Sequence, residues 1–426
     1  MKKFLLWLLM VLLGIAALLG GTVWYFYSGA QIEVLPQITA NGQAIEASGC
    51  DYQVPVLGGV LFKQDARAID RQPVLIETEE RHIPITTDAA AIETTVAIIK
   101  ENQTVFEGSL GEYEVFRFPA NGTYDYKVVQ KFAPAAENER PRAYGSASYE
   151  FQVRVSVELS VTSTPSTAKQ GDIVMVRVAN NLDNTQPSAV LSDGTRLNFI
   201  QVNGDYTAYL PISYIQETGK YTITVTLNGQ TYELPLTVEY LTYSKINVAD
   251  ASQLPDAAGD SSPASTEQFR SAIWPLYQQM SAEKLWDGVF IAPLPGVNVS
   301  FGYGTGSMLP GASTSIRHGG ADYTAPDATE GSATNAAAVV APNAGKVVFA
   351  GELGLTGKTI VLEHGGGLKS FLFHLSSVDV STGSAVTKGQ QIGALAPKAT
   401  LHYEVRIGNK TVDPVRLMKG DSALYR

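Results

Sequence analysis

Residues 219–238 read GKYTITVTLNGQTYELPLTV. Tyr221, Ile223, Val225 and Leu227 alternate with threonines. Asn228-Gly229 interrupts, and Tyr232, Leu234, Leu236 and Val238 resume the alternation. A period of two puts every apolar side chain on one face of a strand. Asn-Gly between two such runs supplies the two positive-φ residues of a tight hairpin turn. The stretch predicts an antiparallel hairpin with one buried face, and with it a mostly β chain.

Working outward, a looser copy lies upstream. Tyr124, Tyr126 and Val128 alternate after Asn121-Gly122, and Tyr149, Phe151, Val153 and Val155 form the next predicted strand. The two regions share a Gly-x-Tyr-x-apolar pattern, at Gly122-x-Tyr124-x-Tyr126 and Gly219-x-Tyr221-x-Ile223. It resembles the tyrosine corner of immunoglobulin-like sandwiches, with an apolar residue where antibody domains carry the second cysteine. Two tandem immunoglobulin-like β-sandwich domains are expected, at 35–156 and 157–241. Another kind of β-sandwich accounts for the first nearly as well.

The chain has 426 residues, 45% of them hydrophobic and 17% charged, which suffices for several packed cores and excludes a disordered chain. A formal charge of −10 argues against a nucleic-acid partner, because neutralising phosphates needs a basic face. Cys50 is the single cysteine, so no intrachain disulfide framework or all-cysteine zinc site exists. It does not follow the N-terminal apolar run closely enough to carry a lipid. Lys2 and Lys3 precede an uncharged run from Phe4 to Tyr27. A helix of that length reaches about 36 Å, enough to cross a hydrocarbon core of about 30 Å. Trp24, Tyr25 and Tyr27 at its far end suit an interfacial belt. Residues 1–30 are therefore expected to be a cytoplasmic stub and signal anchor, embedding residues 4–27 in the cell membrane with the bulk of the chain outside. The alternative is a signal peptide cut near Ala30, after the small residues Ser28 and Gly29, and secretion of the rest.

Residues 242–286 are expected to be a flexible linker with short helices. The part from Ala249, ADASQLPDAAGDSSPASTEQ, lacks periodicity and should be mobile. The part from Phe269 has helical spacing broken at Pro275. From about 287 to 426 short strands with glycine-rich turns return. Residues 31–288 carry 18 basic and 32 acidic residues, whereas 289–426 carry 11 and 9, so the two parts differ in electrostatic character.

Four of the five histidines fall after residue 310. His318-Gly-Gly-Ala-Asp322 spaces an imidazole and a carboxylate four apart, which in an extended chain share a face. Thr400-Leu-His402-Tyr-Glu404-Val-Arg406-Ile alternates strictly, giving one strand a wholly polar face that water or a site must satisfy. In Phe371-Leu-Phe373-His374-Leu375 the same alternation predicts Phe371, Phe373 and Leu375 on the face opposite His374. Two histidines and one aspartate with an open fourth position is a catalytic zinc arrangement.

These segments occur in a telling order: FIAPLPGVNVSFGYG from Phe290, RHGGADYTAP from Arg317, VVAPNAGKVVFAG from Val339, TIVLEHGGG from Thr359, FLFHLSSVDVSTGSAVTKGQQIG from Phe371 and LHYEVRIGNKTVDPVRL from Leu401. Residues 287–426 resemble the lysostaphin-like, LytM-type zinc metalloendopeptidases of bacterial cell walls. The resemblance covers about a third of the chain and says nothing of residues 31–250. It implies an all-β peptidase domain holding one Zn2+ through His318, Asp322 and His402. It implies transition-state stabilisation and proton handling at His374, and a structural part for His364. His82, in the first β-domain, lies outside it and is expected on a surface or loop. The family's closing His-Leu-His reads Thr400-Leu401-His402 here, and the loop before it is shortened to ALAPKA. Threonine is no base near neutral pH, and loss of one acid–base partner typically costs about 10²–10⁴ in rate. Glu404 is expected to orient a ligand from behind.

Two functions follow as expectations. One is a membrane-anchored zinc endopeptidase that cuts peptidoglycan stem or cross-bridge peptides, weakened at Thr400. The other is a degenerate, zinc-binding but inactive relative that serves as a cell-wall scaffold or hydrolase activator. In both, the immunoglobulin-like domains are spacers or surfaces for protein partners.

Overall fold

The computed structural model describes residues 2–87, 90–254, 259–327 and 336–425. It is mostly β and divides into two compact units, Met1–Glu158 and Leu159–Arg426.

The first unit opens with a helix over Lys2–Gly29, none of whose residues is buried. By length and composition it can cross a membrane, a test that a signal sequence also passes. The centre of this unit is the strand Tyr144–Val155. One edge pairs along its length with Gly122–Phe132. The other pairs first with Gly49–Val56, antiparallel, then with Val74–Thr78, parallel. Leu61–Ala68, Glu93–Lys100 and Gln103–Ser109 complete a seven-stranded sheet. The period-two apolar residues do what their spacing predicts: Tyr124, Tyr126, Val128, Tyr149, Phe151 and Val153 are all buried. The Tyr124 hydroxyl donates to the Ala120 carbonyl at 2.6 Å. Cys50 is buried and free, and His82 is half-buried against Tyr113 with Nδ1 on the Phe116 carbonyl.

The second unit begins with two facing sheets. A four-stranded one runs in the order Ser160–Thr164, Ile173–Ala179, Asp205–Pro211, Phe199–Val202. A five-stranded one contains the hairpin Gly219–Leu227/Gln230–Glu239, closed by Asn228 and Gly229 at φ of 51° and 75°. Val174, Val176, Ala208, Ile223, Val225 and Leu236 fill the space between them. The Tyr221 hydroxyl donates to the Glu217 carbonyl, repeating the contact of Tyr124.

An eight-stranded sheet follows, in the order Val299–Phe301, Ala321–Thr324, Thr400–Ile407, Leu368–Leu375, Gly357–Gly365, Gly345–Leu353, Ala385–Val386, with Lys410–Val412 beside the end of the 400–407 strand. One face buries Ile360, Leu362, Leu372, Leu401, Tyr403 and Val405 against Val339, Ile392 and Leu395 of a smaller sheet. The same core takes in Ile173, Ile200 and Tyr209 of the preceding sandwich. Buried Tyr303 joins the two parts: its hydroxyl donates to the Thr411 carbonyl and accepts the Tyr214 N–H.

The expected mobile linker is docked at its far end, from residue 259, and the chain just before it is held as well. Lys245–Asn247 pairs parallel with Gly306–Met308. The Asp260 N–H reaches the Gly354 carbonyl at 2.9 Å. Residues 255–258 of that expectation lie outside the described residues. Of the one or two short helices expected there, one forms, and the expected break at Pro275 does not occur. A single helix covers Pro263–Gln278, with Ser262 capping the Ser265 N–H and Pro263 in its first turn. Pro275 stays inside it. Its missing N–H costs one hydrogen bond near the C-terminal end, while buried Ile273 and Leu276 pack on Leu353, Val361, Phe371 and Phe373. Burying each such side chain contributes about 1.5–3 kcal/mol, which offsets the loss.

Candidate metal centre

Register positions the site. Asp322 pairs directly with His402 across neighbouring strands, and His402 pairs with Phe373 on its other side. Directly opposed residues project to the same face. Leu401, Tyr403 and Val405 fill the core, so His402 and Glu404 take the other face. His318 reaches the same point from the turn before Asp322. Its N–H donates to the Thr305 carbonyl and its own carbonyl accepts the Gly304 N–H. The two glycines between His318 and Asp322 make this approach feasible. A Cβ at Gly320 would lie 2.3 Å from the Tyr403 carbonyl oxygen, and one at Gly319 would lie 2.6 Å from Glu404 Oε1.

His318 Nε2, Asp322 Oδ1 and His402 Nδ1 meet in a triangle of 3.0, 2.7 and 3.0 Å, all three residues buried. The far nitrogens are spoken for. His318 Nδ1 lies 3.2 Å from the Gly302 carbonyl, and His402 Nε2 lies 3.4 Å from Glu404 Oε1. A carbonyl and a carboxylate can only accept, so both protons sit on those far nitrogens. The near nitrogens then present lone pairs to one another and to a carboxylate oxygen, an arrangement that asks for a cation. Tetrahedral zinc with bonds of about 2.0–2.1 Å spaces its ligand atoms about 3.3 Å apart, so this nitrogen, nitrogen, oxygen set fits with a small expansion.

Electrostatics agree. Burial opposes charge on Asp322, but the pull of the His318 and His402 imidazoles beside it outweighs that and brings its carboxyl down to about 2. Burial likewise opposes charge on Glu404, and the Arg406 guanidinium, with His402, brings it down to about 2. Arg406 Nε donates to Glu404 Oε2 at 2.6 Å, and its guanidinium lies over the rings of Tyr277 and Phe371 at 5.3 and 5.7 Å. The helix 263–278 thereby supports the residues behind His402. Phe373 stacks on the His402 ring at 5.7 Å, and Phe301 meets His318 edge-on.

Residues 317–414 match the family model of Peptidase family M23. These residues form an M23 domain. DD-carboxypeptidase/endopeptidase Mpg of Neisseria meningitidis serogroup B is 33% identical over 135 residues, 30% of this chain and 29% of that protein. The Neisseria gonorrhoeae protein of the same name matches to the same extent. The chain thus spans 29% of the length of these curated relatives. Among solved structures, a peptidase M23 from Pseudomonas aeruginosa aligns over 60% of this chain and 95% of its own, with 19% identity and a TM-score of 0.42. Lysostaphin aligns over 31% and 54%, with 26% identity and a TM-score of 0.26.

Within the M23 domain the other expected residues fall as follows. Thr400 pairs with Thr324, and their hydroxyls lie 3.2 Å apart, with Ser300 next in line at 3.1 Å from Thr324. His364 is buried, with Nδ1 on the Ala344 carbonyl and Nε2 on the Ser370 hydroxyl. His374 is half-buried and sits at a bulge, where the step from Leu372 to Leu375 spans the partners Ile360 to Lys358. Its φ of 64° is left-handed, a conformation costing a non-glycine residue about 1–2 kcal/mol. The bulge corrects the expected alternation. Phe371 and Phe373 face the helix, whereas Leu375 joins Leu372 in the opposite core. An extra residue in a strand reverses the faces beyond it and re-aims a side chain. Sequence reasoning gave Arg406 a face but no task, and gave Phe301, Phe373 and Tyr277 no part in the site. Their ring contacts depend on pairing partners distant in the chain.

Proposed function

We propose that this chain is a membrane-anchored, extracytoplasmic zinc endopeptidase that cleaves peptide cross-links of peptidoglycan. The reading rests on one observation above others: three buried atoms of His318, Asp322 and His402, with lone pairs to spare, converge within 3.0 Å inside an M23 domain. The Neisseria relatives bear the name of a carboxypeptidase and endopeptidase. His318, Asp322 and His402 would hold one zinc, which supplies Lewis-acid activation of water and of a scissile carbonyl. The Gly302 carbonyl and Glu404 keep the protons of His318 and His402 on the nitrogens away from the metal, so the near lone pairs stay available. Arg406 fixes Glu404 for this task. Phe373 covers one side of His402 and keeps water from it. His374, set by its bulge, is the group for holding and moving a proton and for steadying negative charge on substrate. The two β-sandwich regions are immunoglobulin-like spacers or partner surfaces, and the helix 2–29 is the anchor.

Thr400 favours a second reading, a zinc-binding scaffold or hydrolase activator without hydrolysis. Its hydroxyl can position a substrate group but cannot take up a proton near neutral pH. Digestion of purified peptidoglycan by the full-length protein, with zinc measured on the same preparation, separates the two. Release of peptide fragments that stops on chelation and returns with zinc supports the endopeptidase. One zinc per chain with no fragments supports the scaffold.

A further inference from the structure

The strands Gly49–Val56 and Leu61–Ala68 form a hairpin at the end of the large sheet of the first unit. Its tip is uncharged from Tyr52 to Phe62. Leu57, Val60, Leu61 and Phe62 are 43%, 79%, 40% and 38% exposed, a cluster of apolar side chains at one turn. Scattered single exposures need no explanation, but a contiguous patch does.

The residues leaving the N-terminal helix lie beside the base of this hairpin. Lys63 Nζ donates to the Ser28 carbonyl at 2.7 Å. The Ile32 N–H donates to Asp65 Oδ2, and Arg67 donates to the Ile32 carbonyl and to Gln31 Oε1. Residues 28–32 therefore run beside residues 63–67 in the same direction. Followed backwards, the strand leads from Lys63 to the tip while the chain leads from Ser28 into the helix. The four residues from Lys63 to Gly59 span about 13 Å at about 3.3 Å each. Along a helix about 13 Å is about nine residues at 1.5 Å each, which passes Tyr27, Tyr25 and Trp24. Those aromatic residues mark the outer boundary of the apolar run. Pro141 lies against Gly59, and the exposed Arg140 and Arg142 beside it can stay at headgroup level, as can Glu137 and Glu139 of the same loop.

We infer that the hairpin tip, Leu57 to Phe62, inserts into the outer face of the same membrane that the helix spans, giving the first unit a second attachment to the lipid surface. The inference rests on the anchor reading of residues 2–29. A lone helix leaves a domain free to swing. A second apolar contact beside it holds the edge strand 61–68 at a fixed height.

The test uses the full chain reconstituted in phosphatidylethanolamine and phosphatidylglycerol vesicles. Cys50→Ala provides the background, with Val60→Cys or Leu18→Cys carrying an environment-sensitive fluorophore. An interfacial side chain lies about 5–10 Å into the headgroup and acyl boundary, so a nitroxide high on the lipid chain should quench the Val60 label at least about twofold, while iodide in the water should not. The Leu18 label should be quenched by lipid nitroxide in any anchored chain. Lipid quenching at Leu18 with iodide quenching at Val60 overturns the tip and leaves the anchor standing. A Val60 label shielded from both quenchers is covered by protein, which also overturns the inference. Loss of lipid quenching at Leu18 removes the anchor reading and the inference with it.

Discussion

Glu363 and Lys369 oppose each other on the sheet that also opposes Asp322 to His402, and both pairs are almost wholly removed from solvent. In the first cluster every strong donor meets an acceptor. Lys369 Nζ reaches Glu363 Oε2 and the Gln279 carbonyl, each at 2.5 Å. Glu363 Oε1 accepts the N–H groups of Ser281, Gly365 and Gly367. Beside it His364 gives one nitrogen to a carbonyl and the other to a hydroxyl. In the second cluster the outer contacts are equally complete, but the inner atoms are three acceptors facing one point. Both clusters bear the cost of burying charge. Only the second is left short of a positive charge, and that shortage separates a staple from a site.

The largest effect expected from breaking the contrast is at the open cluster. His402→Ala removes one of three donors and should take zinc from one per chain to near none, read by elemental analysis after gel filtration. Undiminished zinc would assign the metal elsewhere.

At the closed cluster the loss should appear as stability. Lys369→Met leaves a buried carboxylate without its cation, and breaking such a pair costs about 3–5 kcal/mol. A urea titration followed by the fluorescence of buried Trp286 reads this, and adding Glu363→Gln should recover part of it. Whatever remains folded should keep its zinc.

Histidine titration gives a third distinction. Burial chiefly holds the His364 imidazole down to about 4, against a usual 6.5, with Lys369 adding to it and the Ala344 hydrogen bond opposing. The unfolded chain takes up this proton below 6.5 and the folded one only near 4, so stability is full above 6.5 and falls as pH drops towards 4. Two and a half units correspond to about 3 kcal/mol. Unfolding midpoints at pH 7, 5.5 and 4.5 should show the decline, and His364→Gln should flatten it.

The smallest expected effect concerns chemistry. Thr400→His puts an imidazole on the face of His402, two residues along the strand, where it can share proton handling with His374. Peptidoglycan hydrolysis should rise about tenfold, short of the full 10²–10⁴ because the ALAPKA loop is not shaped to hold the ring. Zinc content should not change. A parent as fast as the variant would show that Thr400 is no defect.

The open cluster is legible in the sequence because its information is local. His318 and Asp322 are four apart, and strict alternation over 400–407 puts His402 and Glu404 on one face. The hairpin at 219–238 is legible for the same reason, since Asn228-Gly229 encodes its own turn. The closed cluster is not. Nothing in the sequence pairs Lys369 with the Gln279 carbonyl, 90 residues away. The bulge at His374 is hidden because alternation carries no mark of an inserted residue. The linker misleads because Ser, Ala and Pro spell both a mobile tether and the capped first turn at Ser262-Pro263. What decides between them are Ile273 and Leu276, and their partners lie beyond residue 350.

Ile173, Ile200 and Tyr209 share one core with the sheet that carries His402. Engineering must treat residues 159–425 as a single cassette. A graft beginning at residue 287 would leave Tyr209 and Trp286 behind, leave Tyr303 without the Tyr214 N–H, and expose apolar surface on both pieces. An engineered exchange is therefore expected to need the sandwich along with the metal centre, cut at residues 158 and 159.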